Sequence, residues 1–260
     1  MTSNLRICLI GNSHVGMLKA ASANQPVDLS VVAKPGLQRE ELEIKDGLLT
    51  AQHPDLVKFM KRSGLPNTVS VNEFDVIVFV AMNASAFSAV RMLQAHNLCV
   101  TNDNVVKSDR YKRRAYISSS AYHDALTEVN RLGLSWQIAQ DLRQASNVPI
   151  IFVPQPQPSV SLLDDKSRFR GFHRMRELGL GETIFDFQNR SFAAAFSEFS
   201  NSRALMQPRW TLDDGFLTAV KFSRDATRLD GKSKQPEQDI LHANALLGEV
   251  YWRRIFKLIN

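Results

Sequence analysis

The sequence predicts an α/β protein, a three-layer α/β/α arrangement around a mainly parallel central sheet, on three observations. First, four short runs rich in β-branched residues, Leu5 to Ile10, Val27 to Val32, Val76 to Val80 and Val148 to Val153, are almost uniformly apolar. A half-solvated strand would alternate, so runs of this kind belong to a sheet covered on both faces, the usual state of a parallel sheet. Second, helical patterns follow these runs, and right-handed crossovers then place ligands at the carboxyl ends of the strands. Third, 260 residues with 44% hydrophobic and 22% charged positions suit one globular domain that buries roughly 70–75% of its unfolded surface without a metal or disulfide staple.

Taken in order, the first strand leads into a helix over His14 to Ala23. The second is followed by a helical pattern from Glu40 to Arg62, broken near Pro54. The third precedes a helix over Ser85 to His96, and a long helical pattern from Ser120 to Ser146 leads to the fourth strand. Pro154 to Pro236 is less regular: it carries the Pro154, Pro156, Pro158 series, two short helices and a polar Gly231 to Gln238 stretch. A last amphipathic helix covers Asp239 to Leu258. This reads as a single domain over residues 1–260 with an irregular elaboration at about 154–236, without repeats or low-complexity tracts.

Composition narrows the function classes. Cys8 and Cys99 fit neither a zinc spacing nor a secreted framework, which indicates a reducing compartment and no metal. Ile7 to Ile10 is too short for a signal-peptide core, and no run approaches a membrane span, so the expectation is a cytoplasmic protein with no membrane partner. The net charge of +6 is mildly basic, and no basic block interleaved with aromatics marks a nucleic-acid partner.

Chemistry concentrates at the two ends of the chain. Gly11-Asn12-Ser13-His14-Val15-Gly16 follows the first strand and opens the first helix. Met17 and Leu18 stand where a P-loop needs Lys and Ser or Thr; Ser13 stands where a dinucleotide fingerprint needs glycine; Val15 stands where a G-x-S-x-G elbow needs glycine. What remains is a serine at a strand end and a helix start, where free N–H groups favour developing negative charge. Ser13 is thus a candidate nucleophile or, equally, a simple helix cap. Near the other end, Asp239 and His242 are three apart at a helix start, a spacing that lets the carboxylate fix the imidazole tautomer and leave the other nitrogen as a base. Helix capping by Asp239 and a structural His242 is the alternative there.

Together these two blocks resemble the SGNH, or GDSL-type, hydrolase superfamily, in which a serine follows the first strand and a D-x-x-H pair lies near the C-terminus. The resemblance is to motifs: Gly11-Asn12-Ser13-His14, with Asn12 where the family commonly has Asp, and Asp239-Ile240-Leu241-His242. It implies an SGNH/flavodoxin-like fold and a catalytic triad of Ser13, His242 and Asp239. It also implies an oxyanion hole formed by the Ser13 N–H, by a glycine after the second strand and by an asparagine after the third. Gly36 and Asn83 answer those two positions. Gly36 also reads as a turn glycine after Pro35. The family's G-x-N-D pattern is reduced to Ala81-Met82-Asn83-Ala84, and Asn102-Asp103 competes with Asn83, which is preferred for its strand.

The function this implies is a serine esterase or deacylase acting through an acyl-enzyme on a small-molecule or glycan acyl ester, an O-acetylated carbohydrate among the candidates, with no cofactor. The alternative is an O-acyltransferase, specifically an acetyltransferase modifying a glycan; a non-catalytic binding domain on the same fold is the third reading. The basic run Lys107 to Arg114 contains Lys112, Arg113 and Arg114, a candidate site for an anion. In a transferase it would suit a coenzyme A donor; a solvated face is the plainer reading. His14 beside the nucleophile reads as a cleft-lining or solvent-facing residue rather than a second base. Trp136, Trp210 and Trp252 stay open between packing and sugar stacking.

Overall fold

The structure, a computed structural model, describes residues 4–99 and 114–259. The chain runs β1 (Leu5–Gly11), α1 (Val15–Ala21), β2 (Val27–Ala33), β3 (Leu42–Lys45), β4 (Leu48–Ala51), α2 (Pro54–Arg62), β5 (Thr68–Ser70), β6 (Val76–Val80) and α3 (Ala86–Ala95). It continues through β7 (Asn97–Cys99), β8 (Tyr116–Ser118), α4 (Ser119–Arg131), α5 (Leu134–Ala145), β9 (Ile150–Val153), α6 (Arg170–Glu177) and α7 (Gly181–Phe196). β10 (Ser202–Ala204), β11 (Leu212–Asp213), β12 (Leu217–Thr218) and α8 (Ala245–Ile259) complete it. Five strands form the central sheet in the order β10-β9-β6-β1-β2, and every neighbouring pair is parallel.

Both faces of this sheet are covered, the reason its strands read as unbroken apolar runs. Ile7, Leu9, Val31, Val76 and Val78 pack on one side with Leu18 of α1 and Leu247 and Trp252 of α8. Cys8, Ile10, Ile77, Phe79 and Phe152 pack on the other with Met60 of α2, Leu142 of α5 and Phe196 of α7. The fold is therefore a three-layer α/β/α sandwich. A third cluster, with Val90, Tyr122, Leu126, Phe172 and Phe185, joins α3, α4, α6 and α7 beside it.

Four elements differ from the sequence expectation. Of the helical pattern over residues 40–62 only α2 is α-helical, apart from a 3-10 turn ending at Glu41; β3 and β4 form an antiparallel hairpin in which Lys45 pairs with Leu48. Asp46 and Gly47 join them with φ of 52° and 75°, the left-handed pair that a two-residue hairpin turn requires. The pattern from Ser120 to Ser146 divides into α4 and α5 at Gly133, where a Cβ would lie 2.9 Å from the carbonyl oxygens of both Asn130 and Met82. The last helix starts at Ala245 rather than Asp239, because the Asn244 side-chain oxygen accepts from Leu246 N (3.0 Å) and Leu247 N (3.4 Å) and fixes the start there. Finally, the fifth sheet strand, β10, lies inside the irregular 154–236 segment and is too short and polar to show a pattern.

One helix crossing positions the ends of the chain. α1 and α8 approach so closely that a Cβ on Gly248 would lie 2.2 Å from the Met17 carbonyl oxygen. The buried Trp252 indole N–H donates to the Leu18 carbonyl (2.9 Å) across the same contact. A Gly248→Ala substitution forces the helices apart and should cost about 1–3 kcal/mol of unfolding free energy, the range for overpacking a tight contact. Urea unfolding checks this; an unchanged midpoint would show that the crossing is looser than described.

Candidate active site

Ser13 is placed by the end of β1. A Cβ on Gly11 would lie 2.6 Å from the Val80 carbonyl oxygen and 2.6 Å from Val15 Cγ2, so only glycine lets the strand end between its neighbour and the following helix. The turn after it is closed by Val15 N donating to Asn12 O (3.1 Å), Gly16 N to Ser13 O (3.1 Å) and His14 N to the Asn12 side-chain oxygen (3.1 Å). The capping position of α1 belongs to His14, without a side-chain cap. The Ser13 hydroxyl is not a helix cap; it lies 2.9 Å from His242 Nε2.

Asp239 is likewise not a helix cap. Its carboxylate accepts from His242 N (3.0 Å) and Leu241 N (3.4 Å), folding its own loop, and both oxygens lie 3.0–3.1 Å from His242 Nδ1. An ionised carboxylate is acceptor-only, so Nδ1 carries the proton and donates, and Nε2 is left to accept from Ser13 Oγ. Asn244 anchors this loop by donating its side-chain amide to the Lys221 and Arg224 carbonyls (2.8 Å each). Ser159 N secures it further by donating to the Ile240 carbonyl (2.8 Å). Burial alone would raise the Asp239 pKa, but the hydrogen bond and charge of His242, with the two backbone N–H groups, outweigh it and hold the carboxyl below its ordinary value.

Asn83 follows β6, on the strand beside β1. Its side-chain oxygen accepts from Gln155 N (3.5 Å), while its buried side-chain nitrogen has no partner among the described residues. The turn that delivers it is strained: Ala81 and Met82 both hold positive φ, 61° and 64°. Ala81 thus keeps the left-handed conformation at the position where the resembled pattern has glycine. The surroundings hold the turn in place, with Asn130 Oδ1 accepting from Ala84 N (3.2 Å) and the Met82 carbonyl accepting from Ser135 N (3.2 Å).

Gly36 lies after β2 in a turn closed by Leu37 N donating to Lys34 O (3.2 Å), with φ of +63° after Pro35. Lys34 N donates to Gly11 O (3.4 Å), which sets this turn beside the end of β1. Glu41, buried, fixes the loop by pairing with Lys34 (2.6 Å) and accepting from Gln38 N (2.8 Å). Gly36 itself is exposed, and its carbonyl accepts from the Gln38 side chain (3.1 Å).

The structure therefore links Ser13, His242 and Asp239 in one hydrogen-bonded chain and sets Asn83 and Gly36 at the ends of the two strands flanking β1. Lys112, Arg113 and the alternative Asn102 lie outside the described residues; Arg114 lies within them, its carbonyl accepting from the Asn97 side chain (3.2 Å). Trp252 is buried and Trp136 packs on Phe199, whereas Trp210 stays 63% exposed against Phe222.

Sequence reasoning missed two features. Of the two placements open for His14, solvent-facing or cleft-lining, the structure excludes the first, and it adds what neither stated: the buried ring stacks on His242. Burial first, and the charge of His242 second, push its pKa down to about 3 against an opposing pull from Asp239. Nothing in the local sequence signals that stack, because its partner is 228 positions away, a separation that follows from the Ser13 to His242 span of 229. The second is a cavity of about 810 Å³ lined by Ser159, Asp164, Arg168, Arg224, Glu237 and Asp239 among others. The 154–236 segment supplies most of its wall, so it could not be read before folding. Among the described residues no group of three or more His, Cys, Asp or Glu side chains could hold a metal ion, and no helix is long and apolar enough to cross a membrane.

No family model matches the chain, and no curated protein matches it. Among solved structures it is similar to the periplasmic domain of the lipopolysaccharide acetyltransferase of Salmonella ser. Paratyphi A, at 13% identity and a TM-score of 0.43, over 99% of this chain and 85% of that one.

The lowered Asp239 value sets a sign for stability. A group more acidic folded than unfolded stabilises the fold above its unfolded pKa, and that contribution is lost as pH falls through the folded value. The stability of Asp239→Asn should accordingly vary less steeply than that of the wild type between about pH 5 and pH 2. Urea midpoints across that range measure it, and parallel curves would show that Asp239 gains nothing from its partners.

Proposed function

We propose that this protein is a serine acyl-transfer enzyme of the SGNH type that takes an acyl group from an ester onto Ser13. The observation that carries this reading is the continuous chain from Ser13 Oγ through His242 to Asp239, with contacts of 2.9 Å and 3.0 Å. Ser13 Oγ attacks the ester carbonyl carbon while its proton passes to His242 Nε2. Asp239 holds the resulting imidazolium through Nδ1–H. The tetrahedral oxyanion is held by the Ser13 N–H, the Gly36 N–H and the Asn83 side-chain amide; the unpartnered Asn83 nitrogen, anchored through its oxygen, supports the last of these. The carbon–oxygen bond to the alcohol then breaks, the leaving oxygen takes the proton from His242, and acyl-Ser13 remains. An incoming hydroxyl returns a proton to His242 as it attacks, and Ser13 leaves with that proton.

Water as the incoming hydroxyl gives an esterase or deacylase, the primary reading, with small acyl esters, O-acetylated carbohydrates among them, as substrates. The cavity beside Asp239 favours a second reading, O-acyl transfer to a bound alcohol such as a glycan, since it offers about 810 Å³ of space with charged side chains in its wall. Its lining sets Arg168, Arg176 and Arg224 against Asp164, Asp165, Asp214, Glu237 and Asp239. With carboxylates outnumbering guanidiniums, that space suits a hydroxyl-bearing group better than a phosphate-bearing one. A coenzyme A donor would have to rely on Lys112, Arg113 and Arg114 instead.

Turnover of 4-nitrophenyl acetate tests the chemistry. Ser13→Ala should abolish it with an unchanged melting temperature, and Asn83→Ala should lower kcat about 100- to 1000-fold, the effect of losing one oxyanion donor. Activity retained in Ser13→Ala would remove the nucleophile from the account. Adding hydroxylated glycans then separates the two readings: acetate release that stays constant indicates hydrolysis, and acetylated glycan exceeding free acetate indicates transfer.

A further inference from the structure

His14 has no part in the proton path from Ser13 through His242 to Asp239, yet it is buried, only 7% exposed. Its ring lies on that of His242 with centroids 4.8 Å apart and planes 26° from parallel. Its Nδ1 is buried and without a hydrogen-bond partner among the described residues. A histidine kept for its hydrogen bonds would not leave that nitrogen unmatched at such depth, so the ring face is what the position uses. His14 is also held from below, since its backbone N–H donates to Asn12 and its carbonyl accepts from Met17 N (3.4 Å) at the start of α1.

The geometry points to His14 as a positioning residue that sets the plane of the His242 ring. This rests on the reading of Ser13, His242 and Asp239 as a triad. Asp239 fixes one end of the His242 imidazole but allows rotation about the axis through Nδ1, which would swing Nε2 off the Ser13 hydroxyl. The stacked face blocks that rotation and keeps water off one side of the ring. The charged groups acting on His14 are His242 and Asp239. With its own pKa pushed down to about 3, His14 stays neutral near pH 7 and presents an uncharged aromatic face when His242 becomes an imidazolium. It is thereby distinguished from a second base: among the described residues no carboxylate is hydrogen-bonded to its ring, and Asp239 is bound to His242.

Three variants test this with two readouts, the rate of Ser13 labelling by a fluorophosphonate and the kcat and KM for 4-nitrophenyl acetate. His14→Phe keeps a flat neutral ring, His14→Gln keeps a polar group without a ring, and His14→Ala keeps neither. The expected result is that His14→Phe stays within about threefold of wild type. His14→Ala and His14→Gln should lose about 10- to 100-fold in kcat and labelling rate with KM unchanged, the scale of a misplaced reacting group. If His14→Ala fails to fold, the Phe and Gln variants still decide, because one keeps the ring without the polar group and the other the polar group without the ring. Equal activity in Phe and Gln variants, or a Gln variant that matches wild type while Phe does not, overturns the proposal. Wild-type protein whose Ser13 takes no label at all would instead refute the triad, a failure separable from the first.

Discussion

The crossing of α1 and α8 is the constraint on which the site depends. Ser13 and His242 are 229 positions apart, and nothing local brings them together. β1 delivers Ser13 at the carboxyl ends of the sheet strands, and α1 turns back immediately to pack on the sheet. α8 can lie against α1 only because Gly248 lets the Met17 carbonyl approach where a side chain would stand. Once the helices are docked, with the Trp252 indole bonded to Leu18, the loop just before α8 is carried to the turn just before α1. Asn244 finishes the placement by tying that loop to the 221–224 segment. A few backbone contacts thus convert two sequence-distant turns into a 2.9 Å hydrogen bond.

Around that bond the structure accepts strain and unmatched polar groups where chemistry could use them. Ala81 and Met82 hold left-handed backbone that non-glycine residues avoid, and the buried Asn83 amide nitrogen finds no partner among the described residues. Both lie at the end of β6, beside the strand that delivers Ser13. The turn persists because Asn130, Ser135 and Gly133 over-determine it from α4, α5 and the break between them. On the opposite side, Asp239 is more acidic than an ordinary aspartate despite partial burial, because its partners outweigh desolvation.

The parallel sheet was legible because burial on both faces removes the polar positions that would have interrupted Leu5 to Ile10 or Val76 to Val80. The two terminal motifs could be paired from the sequence only through a resemblance in residue types and spacing, and the structure joins Ser13, His242 and Asp239 in one hydrogen-bonded chain. The hairpin at Asp46-Gly47 is not visible in the apolar pattern, because apolar positions from Glu40 to Arg62 also satisfy a helical period and only the left-handed turn at Asp46 and Gly47 breaks it. β10 was missed because three residues carry no period. The His14 stack and the cavity beside Asp239 depend on contacts between distant segments, which a pattern along one chain does not encode.

The central claim is that Ser13 is a nucleophile activated by His242. Mass spectrometry of the intact and digested protein after treatment with a fluorophosphonate tests it most directly, comparing wild type with His242→Ala at matched time points. The account predicts one adduct per chain, mapped to Ser13, and its suppression in His242→Ala. No adduct, an adduct on another residue, or equal labelling of the two proteins would contradict it.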